Sequence, residues 1–146
     1  MSAPFNKKYH FILNLPIFFM VKYTYNNKKC HLLMKQTFSL AFITGATSGI
    51  GETYAKQLPK DTDLLLTGRN EAKLKEMQAE LQTQERFVDM IAADLATPEG
   101  LALLTDYIKD KPIDLFINNA GLGYYGDMEN HTPSQEHAMV QVNVVA

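Results

Sequence analysis

From residue 38 onward, short apolar runs alternate with longer segments in which apolar residues recur at every third or fourth position. The runs FSLAFIT, DLLLTG, RFVDMIAADL and IDLFIN have the length and composition of buried strands. The segments GIGETYAKQL, NEAKLKEMQAELQTQE and TPEGLALLTDYIKD are typical of helices that bury one face. This alternation predicts an α/β fold with a doubly wound parallel sheet.

Polar residues mark the predicted helix starts. Asn70 and Thr97 each precede a helical segment and are suited to cap its first turn. Pro98 follows Thr97 at the first helical position, where a missing backbone N–H costs nothing. The pair Thr132 and Pro133 repeats this arrangement and predicts a last helix.

Residues 1–33 do not share the alternation. Their apolar stretch FILNLPIFFMV follows Lys7 and Lys8 and is similar to the apolar part of a signal peptide or an organelle presequence. This stretch is interrupted by Asn14 and Pro16 and is too short to span a membrane as a helix. The alternative is an upstream extension before a functional start at Met34. We predict a basic extension outside the fold at residues 1–33 and one domain at residues 34–146.

The charge distribution follows the same division. All 16 acidic residues come after residue 51, whereas five of the 14 basic residues precede residue 34. The acidic domain offers no broad basic surface, so we predict no nucleic-acid partner. Membrane attachment is not expected either, with an anchor in residues 1–33 as the alternative.

The cysteine and histidine content bears on the cellular location and on metal binding. Cys30 is the only cysteine in the sequence, so no internal disulfide can form, and a reducing, cytoplasmic location is predicted. His131 and His137 have no ligand-like spacing with other candidates. We therefore predict no metal site.

The stretch FITGATSGIG holds the candidate chemistry. Its glycines follow a strand and open a helix, an arrangement that directs backbone N–H groups and a helix N terminus at a phosphate. Gly45 is expected to permit the tight turn, Gly49 to let the backbone approach the ligand, and Gly51 to let the helix pack closely. The alternative is that the glycines serve a tight turn only.

Four ordered motifs closely resemble the short-chain dehydrogenase/reductase family. They are the Gly-x-x-x-Gly-x-Gly spacing of TGATSGIG, Asp94 at the end of the third predicted strand, NNAG at residues 118–121, and Asn143 in VNVVA. The resemblance covers residues 38–146. It implies a Rossmann fold with strand order 3-2-1-4, a nicotinamide cofactor, and hydride transfer to or from a small carbonyl or alcohol substrate.

The resemblance also implies roles for individual residues. Asp94 is expected to accept from the adenine amino group, with capping of the next turn as its alternative. Asn143 corresponds to the family's catalytic helix asparagine, and its alternative is a buried polar residue bonded to backbone. Asn118 is expected to tie strands together. The implied cofactor-binding residues are Gly45, Thr47, Ser48, Gly49, Ile50, Gly51, Arg69, Asp94, Leu95, Asn119, Ala120 and Gly121.

The end of the second strand predicts the cofactor choice. Where NAD-preferring members carry an acid for the ribose 2′-hydroxyl, this sequence has Gly68 followed by Arg69. An arginine can pair with a 2′-phosphate. NADP(H) is therefore expected to be favoured over NAD(H).

The family's catalytic serine and Tyr-x-x-x-Lys are expected beyond residue 146. The pairs Tyr25 with Lys29 and Tyr107 with Lys111 have the spacing, but both precede NNAG, and we reject them as catalytic. The chain is thus expected to be an inactive, truncated N-terminal part of an NADP(H)-dependent oxidoreductase that forms homo-oligomers at full length. The alternative is a non-catalytic NADP(H)-binding module.

Two further expectations concern the last third of the chain. The run IDLFIN should form an open sheet edge, so residues 34–146 alone should associate through it. Gly123, Tyr124 and Tyr125 lie where the family's substrate cleft begins, and they either line its edge or face solvent.

Overall fold

The computed structural model describes residues 38–146, together with the backbone of three short strands nearer the N terminus. The strands are β1 (His10–Leu13), β2 (Thr24–Tyr25), β3 (Lys28–Lys29), β4 (Leu40–Thr44), β5 (Asp63–Gly68), β6 (Val88–Ala92) and β7 (Leu115–Asn118). The helices are α1 (Gly49–Gln57), α2 (Glu71–Leu81), α3 (Pro98–Ile108) and α4 (Pro133–Val140). A 3₁₀ turn lies at Met128–Asn130, and a π-helical turn at Gln141–Val145 follows α4 directly.

The sheet has the predicted topology. Strands β6, β5, β4 and β7 lie side by side in that order and are all parallel. Numbered along the chain, this is the order 3-2-1-4. The strands β2 and β3 form a separate antiparallel pair. The doubly wound α/β prediction is therefore confirmed.

The outer side of β7 is paired, in contrast to the predicted open edge. β1 runs parallel to β7, with His10 opposite Leu115 and Leu13 opposite Asn118. Backbone N–H and C=O groups at a bare edge lack partners, and β1 supplies them. The prediction of an open edge is therefore wrong for the chain that includes β1, whereas the association of residues 34–146 alone stays a prediction. Apart from β1, β2 and β3, the residues of the predicted leader or extension at 1–33, including Cys30, lie outside the described residues.

Residues 1–33 were expected to lie outside the fold. Four of them, His10–Leu13, join the sheet as β1. The domain boundary at residue 34 stays a prediction. The boundary rests on the charge division and on Met34 as a possible start, whereas the apolar composition of residues 11–21 suits a strand as well as it suits a leader peptide.

The sheet is covered on both faces. In β5, Leu64 and Leu66 point into a core formed with α1 and α2, and Leu65 points into the core on the opposite face. The first core includes Ala55, Leu74 and Met77 from the two helices, and the second includes Leu104 from α3. This two-sided burial explains why the strands are continuous apolar runs.

The predicted caps hold three helices in place. The side chain of Asn70 accepts a hydrogen bond from the backbone N–H of Lys73 at 3.0 Å, and Thr97 accepts from Gly100 at 3.0 Å. Thr132 and Gln135 form a reciprocal capping box at the start of α4.

The end of α1 is held by a buried cation that sequence reasoning missed. Arg86 is 4% exposed, and its guanidinium donates to the carbonyl oxygens of Leu58 (2.7 Å) and Pro59. Burial lowers the pKa of Arg86. The guanidinium also donates to the carbonyl oxygen of Ala55 in the last turn of α1 at 3.5 Å. Because the last carbonyls of a helix lack intrahelical partners, the arginine fixes the end of α1 and the residues that follow it.

We predict that breaking the β1–β7 pairing makes the chain associate. The double variant Phe11→Pro/Ile12→Pro removes two adjacent backbone N–H groups. Successive residues of a strand direct their N–H groups to opposite sides, so one of the two lost groups faces β7. Sedimentation velocity should then show dimers or larger species.

The matched control is Phe11→Ala/Ile12→Ala, which keeps both N–H groups and should sediment like the unmodified chain. Unchanged sedimentation of the proline variant would contradict the prediction.

Candidate functional site

The glycine loop joins β4 to α1 through two residues with left-handed backbone. Gly45 has φ +64° and Gly49 has φ +55°, a region that side-chain-bearing residues rarely adopt. Space around Gly49 is open, with no heavy atom within 4 Å of the place a Cβ would take. The loop therefore turns tightly at Gly45 and presents bare backbone at Gly49.

Gly51 is required for a different reason. A Cβ at this position would lie 2.3 Å from the carbonyl oxygen of Gly45 and 2.5 Å from Nδ2 of Asn119. The first turn of α1 thus packs directly on the loop and on the residues after β7. This agrees with the close-packing role expected for the third glycine.

The N terminus of α1 faces open space. Ser48 is its N-cap residue, and its side chain makes no capping hydrogen bond. The first N–H groups of the helix are therefore free of a side-chain cap, and they carry the positive end of the helix dipole. Such a terminus is an anion-binding site when the loop before it leaves room for the anion.

Thr44 connects the strand before the glycine loop to the NNAG motif. Thr44 is 3% exposed, and its hydroxyl oxygen accepts from the backbone N–H groups of Asn119 (3.0 Å) and Ala120 (2.9 Å). The same hydroxyl donates to the side chain of Asn118 at 3.2 Å. Sequence reasoning missed Thr44, although its place directly before the glycine loop was a usable signal.

The amide of Asn119 completes this junction. Its Nδ2 donates to the carbonyl oxygens of Thr44 (3.1 Å) and Gly45 (3.2 Å). The side chain of Asn119 therefore holds the glycine loop in place, while the residue lines the cleft described next. Asn118 ties β7 to β4, in agreement with the role expected for it.

A cleft of about 290 Å³ lies at the carboxyl ends of β4, β5, β6 and β7. This is the edge at which parallel α/β sheets bind ligands. It brings together eleven of the twelve predicted cofactor residues, and Gly51 is buried behind them. The lining residues are Gly45, Thr47, Ser48, Gly49, Ile50, Gly68, Arg69, Ala93, Asp94, Leu95, Asn119, Ala120, Gly121, Leu122 and Val142.

Two polar side chains stand on the β5–β6 side of the cleft. Asp94 accepts from the backbone N–H of Ala96 at 3.0 Å through Oδ1, so this oxygen takes the turn-capping role that was its alternative. Arg69 is exposed, and within residues 38–146 no hydrogen bond or ion pair engages its guanidinium. The guanidinium is therefore available to a ligand.

Asn143 lies beside the cleft in the π-helical turn. Its Oδ1 accepts from the N–H of Leu122 at 2.9 Å, and its Nδ2 donates to the carbonyl oxygen of Leu122 at 2.8 Å. The side chain is thus bonded to backbone, as its alternative had it, although Asn143 is exposed and not buried. It fixes the segment that follows NNAG. Its part in a proton relay stays a prediction.

The pair Tyr107 and Lys111 lies outside the cleft. Both side chains contact Asp89 near the amino end of β6, whereas the cleft is at the carboxyl end. Burial, together with the hydrogen bond to Asp89, raises the pKa of Tyr107 to about 12. A catalytic proton donor needs a pKa near the working pH. The geometry therefore supports the rejection of this pair.

The segment after Gly121 carries two aromatic rings of different exposure. Tyr125 is fully exposed, whereas Tyr124 is partly buried with its ring centroid 6.1 Å from that of His131. Neither tyrosine lines the cleft, and neither does Gly123.

A family model described as short chain dehydrogenase matches residues 39–146. The chain belongs to the short-chain dehydrogenase/reductase family. The resemblance inferred from the motifs is confirmed.

Three relatives show how far this similarity extends. The inactive hydroxysteroid dehydrogenase-like protein 1 of Homo sapiens is 34% identical over 95 residues, which are 63% of this chain and 29% of the relative. The very-long-chain 3-oxoacyl-CoA reductase of Kluyveromyces lactis is 38% identical over 85 residues, 56% of this chain and 25% of the relative.

The third relative is a solved structure. It is a short-chain dehydrogenase from Sphingobium yanoikuyae in complex with NADPH, with TM-score 0.67 and 29% identity over 73% of this chain and 43% of that one. The chain therefore spans less than half the length of each of these three relatives.

Within the described part of this short-chain dehydrogenase/reductase, no helix has both the length and the apolar character needed to cross a membrane. The same residues contain no group of three or more His, Cys, Asp or Glu side chains that could hold a metal ion. The location and the expected absence of a metal site stay predictions.

We predict that Gly51→Ala disrupts the site through its fold. The added methyl group meets a backbone oxygen that cannot rotate away, so the free energy of unfolding should fall by about 1–3 kcal/mol. Thermal melting measures the loss. Gly123→Ala is the matched control, since nothing lies within 4 Å of its added Cβ, and it should change stability by less than about 0.5 kcal/mol. Equal melting curves for the two variants would contradict the prediction.

We predict that Tyr107→Phe gives a pH-dependent loss of stability. Burial opposes ionisation of Asp89, but hydrogen bonds from Tyr107 and Lys111 outweigh it and hold the pKa of Asp89 below its ordinary value of 3.8. A lowered pKa stabilises the fold above 3.8, and this contribution is lost as the pH falls through the folded-state pKa.

Thermal melting of the Tyr107→Phe variant should therefore show a loss of about 1 kcal/mol at pH 7, reduced by the partial exposure of the pair. The difference from the unmodified chain should shrink below pH 3.8. Tyr125→Phe, at a fully exposed ring, should show no difference at either pH. A loss that is the same at both pH values would contradict the assignment to Asp89.

Proposed function

We propose that the chain is the cofactor-binding portion of an NADP(H)-dependent oxidoreductase that transfers hydride between nicotinamide and a small carbonyl or alcohol substrate. The observation that carries this proposal is the cleft at the carboxyl ends of the strands, with the N terminus of α1 on one side and an unengaged Arg69 on the other. The positive groups are placed for a ligand with two separate phosphate groups.

The residues around the cleft fit the parts of a dinucleotide. The backbone at Gly49 and Ile50 would bind the diphosphate through free N–H groups. Asp94 and Leu95 would hold the adenine, with the second carboxylate oxygen of Asp94 facing the exocyclic amine. Ala120 and Gly121 would border the ribose next to the nicotinamide, and the bound cofactor would supply the hydride.

Arg69 supports a preference for the 2′-phosphorylated cofactor. It follows Gly68 at the end of β5, where an acid would bind an unmodified ribose 2′-hydroxyl. Its guanidinium can make charge-assisted hydrogen bonds to a phosphate. The NADPH held by the Sphingobium yanoikuyae enzyme, a family member with the same fold, adds to this support.

The second candidate function is a non-catalytic module that binds NADP(H). It is favoured by the similarity to a human relative called inactive. Turnover separates the two: carbonyl-dependent NADPH oxidation by the full-length protein supports the oxidoreductase. NADPH binding without turnover on a panel of aldehydes and ketones supports the module. Homo-oligomerisation and a cytoplasmic location stay predictions in both cases.

We predict that Arg69→Ala removes the cofactor preference. Loss of a charge-assisted contact to the 2′-phosphate should weaken NADPH binding by about 10- to 150-fold and leave NADH binding nearly unchanged. Isothermal titration of the full-length protein with each cofactor measures this.

Lys60→Ala is the matched control, because it removes one exposed positive charge in the turn before β5, at the amino end of that strand and away from the cleft. It should leave both affinities unchanged. Equal affinities of the unmodified protein for NADPH and NADH would overturn the NADP(H) preference.

A further inference from the structure

We propose that Thr47 is a specificity-determining residue. Its branched side chain excludes any side chain from position 68, and with it the acid that would bind the 2′-hydroxyl of NAD(H). This inference rests on the proposed function, and it adds a second determinant to Arg69.

Backbone conformation does not explain the glycine at position 68. Gly68 is the last residue of β5 and pairs with Ala92 of β6 in regular register. Its φ lies outside the left-handed region, which only Gly45, Gly49 and Gly126 adopt among the described glycines. Any residue could take this backbone shape, so the constraint on position 68 is steric.

Thr47 supplies that constraint from the glycine loop. A Cβ added at Gly68 would lie 2.9 Å from Cγ2 of Thr47, 3.1 Å from its Oγ1 and 3.6 Å from its Cβ. The distance to Cγ2 is too short without movement of one partner, and the distance to Oγ1 is tighter than ordinary contact, whereas the distance to Cβ is ordinary. Both γ atoms of the threonine therefore face the site where a side chain would begin.

Rotation of the threonine does not clear the space. A β-branched residue fills two of its three staggered γ positions in every rotamer. The two positions that face Gly68 therefore always contain at least one heavy atom. A serine could turn its single γ atom away, and an alanine has none.

Movement of the loop is opposed as well. The N–H of Ala46 donates to the carbonyl oxygen of Thr67 at 3.0 Å, which holds the loop against the end of β5. On the other side of β5, the carbonyl oxygen of Gly68 accepts from the N–H of Ala93 at 3.0 Å. The loop and the strand end are thus fixed on both sides of the contact between Thr47 and Gly68.

The consequence concerns cofactor choice. Arg69 attracts a 2′-phosphate, and Thr47 keeps position 68 bare, so the competing acid cannot be accommodated. Changing Gly68 to an acid should therefore not suffice to convert the protein to NAD(H). The conversion should also need a smaller residue at position 47.

The first test measures the steric contact without any cofactor. Gly68→Ala should lower the melting temperature of the full-length protein by about 5 °C or more. Adding Thr47→Ala should recover most of this loss relative to Thr47→Ala alone. Adding Thr47→Val, which keeps both γ atoms, should recover none. Additive effects of Gly68→Ala and Thr47→Ala would overturn the proposal.

The second test measures cofactor preference by isothermal titration with NADPH and NADH. Gly68→Asp alone should bind both cofactors more weakly than the unmodified protein. In the Thr47→Ala and Thr47→Ser backgrounds, Gly68→Asp should bind NADH about 10- to 150-fold more tightly than in the Thr47 background and should prefer it to NADPH. Gly68→Asn in the Thr47→Ala background has the same size without the charge and should gain less.

The possible failures are distinguishable. If Gly68→Asp binds NADH as tightly with Thr47 present as with Thr47→Ala, the specificity role of Thr47 is overturned while the proposed function stands. If the unmodified protein binds neither cofactor, the proposed function fails and the specificity role fails with it. The melting experiment then still decides whether the steric contact exists.

Discussion

The hydroxyl of Thr44 is the interaction on which the site depends. It accepts from two backbone N–H groups after β7 and donates to Asn118, so it joins the carboxyl ends of two neighbouring strands at one buried atom. The amide of Asn119 then binds the carbonyl oxygens of the glycine loop. Because the Thr44 hydroxyl is buried and its partners are partly buried, loss of the hydroxyl would leave polar atoms without their hydrogen bonds. The junction therefore fixes how far apart the loop and NNAG stand, and so the width of the cleft.

The groups of the cleft that suit an anion lie in a domain of net negative charge. All of the acidic residues lie from residue 52 onward, so the surroundings disfavour a phosphate at long range. The groups that favour it act at short range: free N–H groups at the start of α1 and the guanidinium of Arg69. Salt screens the long-range repulsion between the acidic domain and a phosphate much more than it weakens direct hydrogen bonds to that phosphate. The fold therefore separates the net charge of the domain from the polarity of its site.

Spacing alone does not make a catalytic pair. Tyr107 and Lys111 have the spacing of the family's acid/base residues, and their side chains do come together, with Nζ of Lys111 4.3 Å from the centroid of the tyrosine ring. Their shared partner is a carboxylate, Asp89, which accepts hydrogen bonds from both and favours the protonated phenol of Tyr107. In this position the pair joins α3 to β6. The groups around a tyrosine and a lysine therefore determine whether the pair can act as an acid/base pair.

The sequence by itself determined the class of fold, the three capped helix starts and the position of the glycine loop between a strand and a helix, whereas the strand order and eleven of the residues that line the cleft came from the family resemblance. The first three follow from local rules, because apolar periodicity, capping and glycine spacing each act within a few residues. Only the tertiary structure decided the rest. Pairing of β1 with β7, the burial of Arg86 against α1, the junction at Thr44 and the contact of Thr47 with Gly68 all join residues distant in sequence or on separate elements. Such contacts depend on which surfaces the finished sheet brings together. A pattern of neighbouring residues in the sequence does not contain this information.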